Sequence, residues 1–393
     1  MLSSWRVTTV GAGNLHVLFA VVQSPPSPGP RYRVLQYLPF LESHGIRGTV
    51  IAMQGPRSTL RSMRSGSLGP LARLLHYGLT WLESQIFLVT VLGRLHQFDR
   101  VYFYRIPVSG WARRLLSRYR DRILVDFDDA LDDAEGADGR GLTGLRKGIL
   151  RRGLHNALGI SAVTITSNRR NARLVADHGH RVEVIPTSVD PERFTFRDRR
   201  DAFGPLPVLG WIGTPSTASY LGLIEGALHR IAAVRPVVIR LIGPGRNPFQ
   251  ALPADVVEWN LGTEAEEVRR FDIGLMPMPD TSWTRGKAAA KALLYGASGA
   301  PTVASWTPTN VEILGESEGA VFARSEDEWV VALNRLLDDP AMRSTMGQRG
   351  FARVAQHYSL SVSAARLLAL IRDPSAQQRA PGPGLRSDLD AGA

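Results

Sequence analysis

Phe271-Asp272-Ile273-Gly274-Leu275-Met276-Pro277-Met278-Pro279-Asp280, then Trp283-Thr284-Arg285-Gly286-Lys287, Lys291 and Ala300-Pro301-Thr302-Val303-Ala304-Ser305, reads as strand, loop, helix and strand. The first strand is expected at residues 272–276, the helix at 286–297 and the second strand at 301–304. Such a unit belongs to a parallel sheet. The loop delivers Arg285 and Lys287 to the start of the helix, and Lys291 follows one turn later on the same face. Cations in a first helical turn oppose the helix dipole, at a cost of roughly a few tenths of a kcal/mol. They make sense where an anion binds, because a helix N-terminus is itself an anion site. The chain has three lysines, Lys147, Lys287 and Lys291, so its arginine-rich composition does not explain two of them lying four residues apart. The spacing points to a phosphate.

The same alternation extends outward. Upstream, residues 208–212, 237–242 and 256–261 read as strands, with helices at 219–234 and 264–270. Downstream come a strand at 320–322 and helices at 326–337, 341–357 and 361–371. An earlier series has strands at 16–22, 48–53, 100–104, 123–127, 162–166 and 181–185. Its helices are expected at 32–43, 69–96, 109–119, 144–158 and 168–177. Residues 186–207 hold prolines and charges without apolar periodicity and break the rhythm. The expected organisation begins with a loose leader at 1–15, an N-terminal α/β domain at 16–186 and a linker at 187–207. A C-terminal α/β domain at 208–360, a helix at 361–372 returning to the first domain and a disordered tail at 373–393 complete it. Two doubly wound parallel sheets in series place a ligand in the cleft between them, at the carboxyl ends of the strands.

Composition narrows the chemistry. With 44% hydrophobic and 21% charged residues, the chain is an ordinary globular one. It has no cysteine, which excludes disulfides, a thiolate nucleophile and cysteine-bound zinc. A net charge of +11 predicts attraction to phosphates, whether of nucleotides, lipid head groups or nucleic acid. No aromatic–basic platform motif is present, which sets nucleic acid aside. Residues 79–95 are broken by Glu83, Ser84 and Gln85 and do not read as a membrane span. Residues 16–22 lack the basic flank and cleavage site of a signal peptide. Arg57, Arg61, Arg64 and Arg73 precede the apolar helical segment, and Arg146, Lys147, Arg151 and Arg152 share another helix. Basic faces of this kind suit anionic lipid. The expected location is the cytoplasm, with peripheral attachment to the inner face of a membrane.

In its sequence context, the opening stretch resembles the donor-binding region of family 4 glycosyltransferases, the large retaining group with the GT-B fold. Gly210-Trp211-Ile212-Gly213-Thr214-Pro215-Ser216-Thr217 is similar to the first strand and loop of that family's C-terminal domain. Gly243-Pro244-Gly245 is similar to the turn after its second strand, and Asn310 with Glu312 to its last donor-site loop. Residues 184–190 with Phe194 resemble the motif before its linker. Arg31-Tyr32-Arg33 with Tyr37-Leu38, and Asp126-Phe127-Asp128-Asp129-Ala130, resemble a bacterial branch of the group. The likeness covers most of residues 16–371.

The resemblance implies two Rossmann-like domains facing a cleft, and sugar transfer, with retention, from a nucleotide-diphosphate sugar. The acceptor would be a glycan, a lipid-linked molecule or a small molecule, and neither cofactor nor metal is expected. Arg285, Lys287 and Lys291 would hold the diphosphate, Gly213 and Thr214 would admit it close to the backbone, and Asn310 and Glu312 would contact the sugar or its pyrophosphate. Arg31, Tyr32 and Asp128 are candidates on the acceptor side. Two departures stand out. The family often carries two glutamates eight residues apart, and the matching positions hold Gly286 and Leu294. Many members place an arginine and a lysine after the first strand of the C-terminal domain, where this chain has Thr214, Ser216 and Thr217. Alternatives are a nucleotide-sugar epimerase or hydrolase on the same fold, and a non-catalytic nucleotide-sugar-binding homologue.

Overall fold

A computed structural model describes residues 8–11, 13–24, 27–55, 58–59, 70–129, 142–200, 206–316 and 318–375. These form two sheets. The first comprises β1 (Thr8–Val10), β2 (Leu15–Gln23), β3 (Ile46–Gln54), β4 (Arg100–Tyr104), β5 (Ile123–Phe127), β6 (Val163–Thr166) and β7 (Val182–Val184), in the order β1-β3-β2-β4-β5-β6-β7. The second comprises β8 (Val208–Ile212), β9 (Val238–Ile242), β10 (Asp255–Val257), β11 (Ile273–Met276), β12 (Thr302–Ser305) and β13 (Ala320–Ala323), in the order β10-β9-β8-β11-β12-β13. Every pairing is parallel except β1 with β3.

The central strands are apolar on both faces because helices cover both sides. Residues 17–21 of β2 are fully buried, and side chains from its two faces enter two different core clusters. Among the parallel strands of each sheet the order reverses once, between β2 and β4 in the first and between β8 and β11 in the second. Those reversals are where open α/β sheets bind ligands. Backbone bonds tie the two crossings between the halves together: Val189 donates to Tyr358 and Leu360 donates to Val189, each at 2.9 Å. The helix Leu360–Arg372 then packs Ala364, Leu367, Leu370 and Ile371 into the core of the first sheet.

Several elements differ from expectation. Thr8–Val10, placed in a loose leader, is an antiparallel edge strand on β3. The single helix expected at 32–43 is broken into Pro28–Arg33, a 3₁₀ turn at Leu35–Tyr37 and Leu38–Ser43. Val34 leaves the helical region at φ −133°, and Pro39, in the first turn of the last piece, has no N–H to give. The helix expected from residue 286 starts at Ala290, because Ala289 takes a left-handed conformation at φ 44°. The helix expected at 341–357 closes at Arg353 and ends in a π turn, Val354–Tyr358. Arg57, Arg61, Arg64, the side chains of Arg73, Arg146 and Lys147, and most of the expected tail lie outside the described residues.

Candidate active site

The second sheet supplies one wall of the cleft. β8 runs into Gly213, where a Cβ would meet the Trp211 ring at 2.5 Å and Lys291 Cε at 2.9 Å, so only glycine fits. Gly243, after β9, packs as closely: at φ +78° its Cβ would lie 2.4 Å from the Gly213 carbonyl oxygen. Thr214 caps the short helix Pro215–Ala218, and Thr217 closes the capping box.

Lys291, in the first turn of the helix Ala290–Ala297, reaches back to this loop. Its Nζ donates to Thr217 Oγ1 at 3.3 Å and lies 4.9 Å from the centre of the Trp211 ring. Desolvation first, and the Lys287 ammonium second, lower its pKa to about 7. Lys287 Nζ lies 4.9 Å from the centre of the Trp283 ring and 3.9 Å from Asp129 of the first half. Between the lysines, left-handed Ala289 turns the chain, a strained conformation of the kind found at ligand sites. Two cations are thus held together against aromatic faces.

The remaining donor-side candidates are placed differently. Arg285 is exposed, and its guanidinium is committed to Asp280 in a two-pronged pair at 2.7 and 2.9 Å. The structure groups Lys287 and Lys291, and leaves Arg285 at the rim. Asn310 is fully buried in the helix Pro308–Leu314; its amide donates to the Ser305 carbonyl at 2.8 Å and its Oδ1 has no partner. Glu312 accepts from the Arg169 backbone N–H at 3.2 Å, and burial raises its pKa above that of an ordinary carboxylate. Gly286 and Leu294, where the resemblance called for glutamates, are both buried: the Gly286 carbonyl accepts from Asn168 at 2.9 Å and Asn171 at 3.0 Å, while Leu294 lies in the second-half core.

The first sheet supplies the facing wall. Tyr104 ends β4 and donates to Asp128 at 2.9 Å. Arg105 follows in a left-handed conformation at φ 57° and binds Asp129 at 2.7 Å, with Asp128 at 3.5 Å. Burial acts to raise the Asp129 carboxyl, but Arg105 and then Lys287 overcome it and hold the group below the ordinary value. Behind this loop Asp126 is fully buried, gripped by Arg33 at 2.7 and 2.9 Å and by the Tyr102 hydroxyl.

Arg31 and Tyr32 stand at the junction of the two halves. Arg31 makes a two-pronged pair with Glu264 at 3.1 Å, and its guanidinium stacks over Tyr32 and Trp259 at 4.5 and 4.9 Å. Glu264 also accepts from Trp259 at 2.8 Å and pairs with Arg193 at 3.0 Å. Tyr32 packs against the second-half core with its hydroxyl unpartnered, and burial pushes its pKa up to about 12. Sequence reasoning missed Arg105, Asp129, Asn168, Asn171 and Glu264 as parts of this cleft. A signal was present for Asp129, in the acidic run after β5, but not for partners more than a hundred residues away.

Residues 264–369, which contain Lys287, Lys291, Asn310 and Glu312, match the family model described as "Glycosyl transferase-like". Sucrose-phosphate synthase from Thermosynechococcus elongatus superposes with a TM-score of 0.66 at 14% identity, covering 91% of this chain and 98% of that one. The fold is that of a GT-B glycosyltransferase. Anabaena HepE, solved in complex with UDP and glucose, superposes at 0.60 with 13% identity, over 91% of this chain and 99% of that one. An E. coli trehalose-6-phosphate structure bound with UDP-2-fluoro glucose gives 0.58 at 11% identity, with coverage of 91% and 99%. No curated protein sequence matches the chain. Among the described residues, no helix of this GT-B chain is long and apolar enough to cross a membrane.

Proposed function

We propose that this chain is a glycosyltransferase that moves a sugar from a nucleotide-diphosphate sugar, bound on the second sheet, to an acceptor bound against the first. The observation that carries the reading is the Lys287–Lys291 pair beside the Gly213 loop, at the carboxyl end of the second sheet's switch point. Two ammonium groups held on aromatic faces, one of them poorly solvated, are a site prepared for a dianion. The UDP-bound relatives on the same fold support the choice of ligand.

In this reading Lys287 and Lys291 meet the charge that grows on the diphosphate as the sugar departs, and the loop at Gly213, which has no room for a Cβ, lets it approach the backbone closely. Asn310, with its free Oδ1, and Glu312 contact the sugar or its pyrophosphate. The acceptor lies against Asp128, near Arg31 and Tyr32, so both substrates are oriented before the bond breaks. Transfer proceeds with retention, as in the family 4 enzymes the chain resembles. The acceptor is lipid-linked, and the enzyme works peripherally on the inner face of a membrane.

A second reading, a non-catalytic nucleotide-sugar-binding homologue, is favoured by the closure of Gly286 under Asn168 and Asn171 and by the burial of Leu294. Incubation with UDP-, GDP- and dTDP-sugars plus a membrane lipid extract separates these. Sugar incorporated into lipid, with equal release of nucleoside diphosphate, is the expected result. Donor consumed or epimerised without acceptor would replace it by a hydrolase or epimerase, and binding without turnover would favour the non-catalytic homologue.

A further inference from the structure

The helix Pro70–Arg94 buries Phe87, Leu88 and Val91 in the first core and leaves the opposite side uncovered. Leu71, Leu75, Leu79, Leu82, Ile86 and Val89 are 73, 62, 48, 48, 38 and 59% exposed. Their spacing of four, four, three, four and three residues places them on one stripe, about 27 Å long at 1.5 Å per residue. Leu74 and Trp81, 47 and 54% exposed, widen it. Monomeric soluble proteins rarely leave so continuous an apolar surface uncovered without a binding role.

The neighbouring helices decide what covers it. Gly110–Leu116 packs beside this helix, with Trp111 Nε1 donating to Gln85 at 2.8 Å, and it exposes Trp111 and Leu115. Along it and the turn that follows, Arg113, Arg114, Arg118 and Arg120 are exposed, with Asp121 the one acidic residue of that stretch. Leu142–Leu158 packs next, contains no acidic residue, and exposes Ile149, Leu150, Arg151 and Arg152. An apolar stripe edged by exposed tryptophans and arginines matches the boundary between acyl chains and anionic head groups. A two-fold pairing of identical copies would instead bring these arginine-rich helices face to face.

The fold also sets where the stripe lies. The helix ends at the start of β4, and Ser58, four residues past the carboxyl end of β3, donates to Glu83 at 2.8 Å, so Glu83 already stands at the carboxyl edge of the sheet. The N-terminal half of the helix therefore overhangs the carboxyl edge of the first sheet, the edge that presents Arg105, Asp128 and Asp129 to the cleft. We propose that this uncovered face, with the arginine-rich helices beside it, docks the chain on an anionic bilayer and holds the acceptor side of the cleft at the lipid surface. A lipid-anchored acceptor then reaches Asp128 with its tail still in the membrane; this last step rests on the glycosyl-transfer reading, while the docking does not.

Flotation of the full chain with vesicles of phosphatidylglycerol and phosphatidylcholine, against phosphatidylcholine alone, tests the docking. Binding is expected to the anionic vesicles. It should fall at least tenfold in a Leu75→Glu/Leu79→Glu/Leu82→Glu variant, and fall severalfold and lose much of its salt dependence in Arg151→Gln/Arg152→Gln. The substituted leucines are about half exposed, so thermal unfolding and titration with UDP, GDP and dTDP should not change; that arm separates a lost surface from a lost fold. Absent wild-type binding, or equal binding by the leucine variant, would overturn the proposal. So would a dimer in sedimentation velocity that the leucine variant abolishes, which would assign the stripe to a second copy. Vesicle binding with no nucleotide-diphosphate binding would leave the docking in place and sink the enzymatic reading alone.

Discussion

Replacing Lys291 by methionine removes a single charge while keeping most of the side chain's bulk. If the lysine holds the donor diphosphate, the variant loses a charge-assisted contact of about 1.5–3 kcal/mol. That corresponds to about 10- to 150-fold weaker nucleotide-diphosphate binding. The structure adds a second signature. With its pKa lowered to about 7, part of the Lys291 population is neutral near pH 7 without ligand. A bound dianion favours the ammonium, so binding should take up protons from the buffer at neutral pH. Wild-type affinity should then fall as pH rises above 7, and the variant's should be much flatter. Stability without ligand moves in the opposite sense. Because the folded pKa lies below the ordinary 10.5, lysine lowers stability most below pH 7, and the difference closes as pH approaches 10.5. Lys291→Met should therefore be the more stable protein at neutral pH. Calorimetry in two buffers of different ionisation enthalpy, on both proteins, reads affinity and proton uptake together. Unchanged affinity with no buffer dependence would mean that Lys291 is an ordinary cleft lysine and would refute the reasoning.

Other substitutions probe the surrounding parts. Asp129→Asn removes the carboxylate 3.9 Å from Lys287 and should tighten nucleotide-diphosphate binding about two- to fivefold, as expected for a loose ion pair of under about 1 kcal/mol; weaker binding by calorimetry would count against competition for that lysine. Asp128→Asn should leave nucleotide affinity unchanged and lower kcat/KM for the acceptor, and steady-state kinetics with varied acceptor checks this. Arg33→Met leaves the Asp126 charge buried and unpaired, and should cost about 3–5 kcal/mol in denaturant unfolding, whereas a neutral pair, Arg33→Met/Asp126→Asn, should recover part of that loss.

The alternation of elements was legible because the strands are buried on both faces and the helices between them are not. The runs from 17 to 21 and from 273 to 276 have no polar side chain to disguise them. Less legible was whatever depended on a single backbone angle or a distant partner. Ala289 gives no sign in sequence that it will turn left-handed, yet that turn moves the helix start from 286 to 290 and puts a bend between Lys287 and Lys291, while Arg285 is drawn away by its pair with Asp280. The leader looked loose because Thr8–Val10 is too short to show periodicity and is ordered only by pairing with β3. At the site, Lys287 and Lys291 were found through their rarity. Arg31 was expected on the acceptor side from a local motif, but its partner Glu264 lies 233 residues away, and only the packing of the two halves brings them together.

Glycosyl transfer by this chain requires that the second-half cleft take a nucleotide diphosphate. A ligand at a hundred times its Kd stabilises the folded state by about 2.7 kcal/mol. For a domain of this size that is a rise in Tm of about 5–10 °C. Thermal unfolding with the nucleoside mono- and diphosphates of uridine, guanosine and deoxythymidine is therefore the most direct measurement. Such a rise is expected for the diphosphate of one base, with a much smaller one for its monophosphate and loss of the difference in Lys291→Met. No shift with any nucleotide, or equal shifts for mono- and diphosphate, would contradict it.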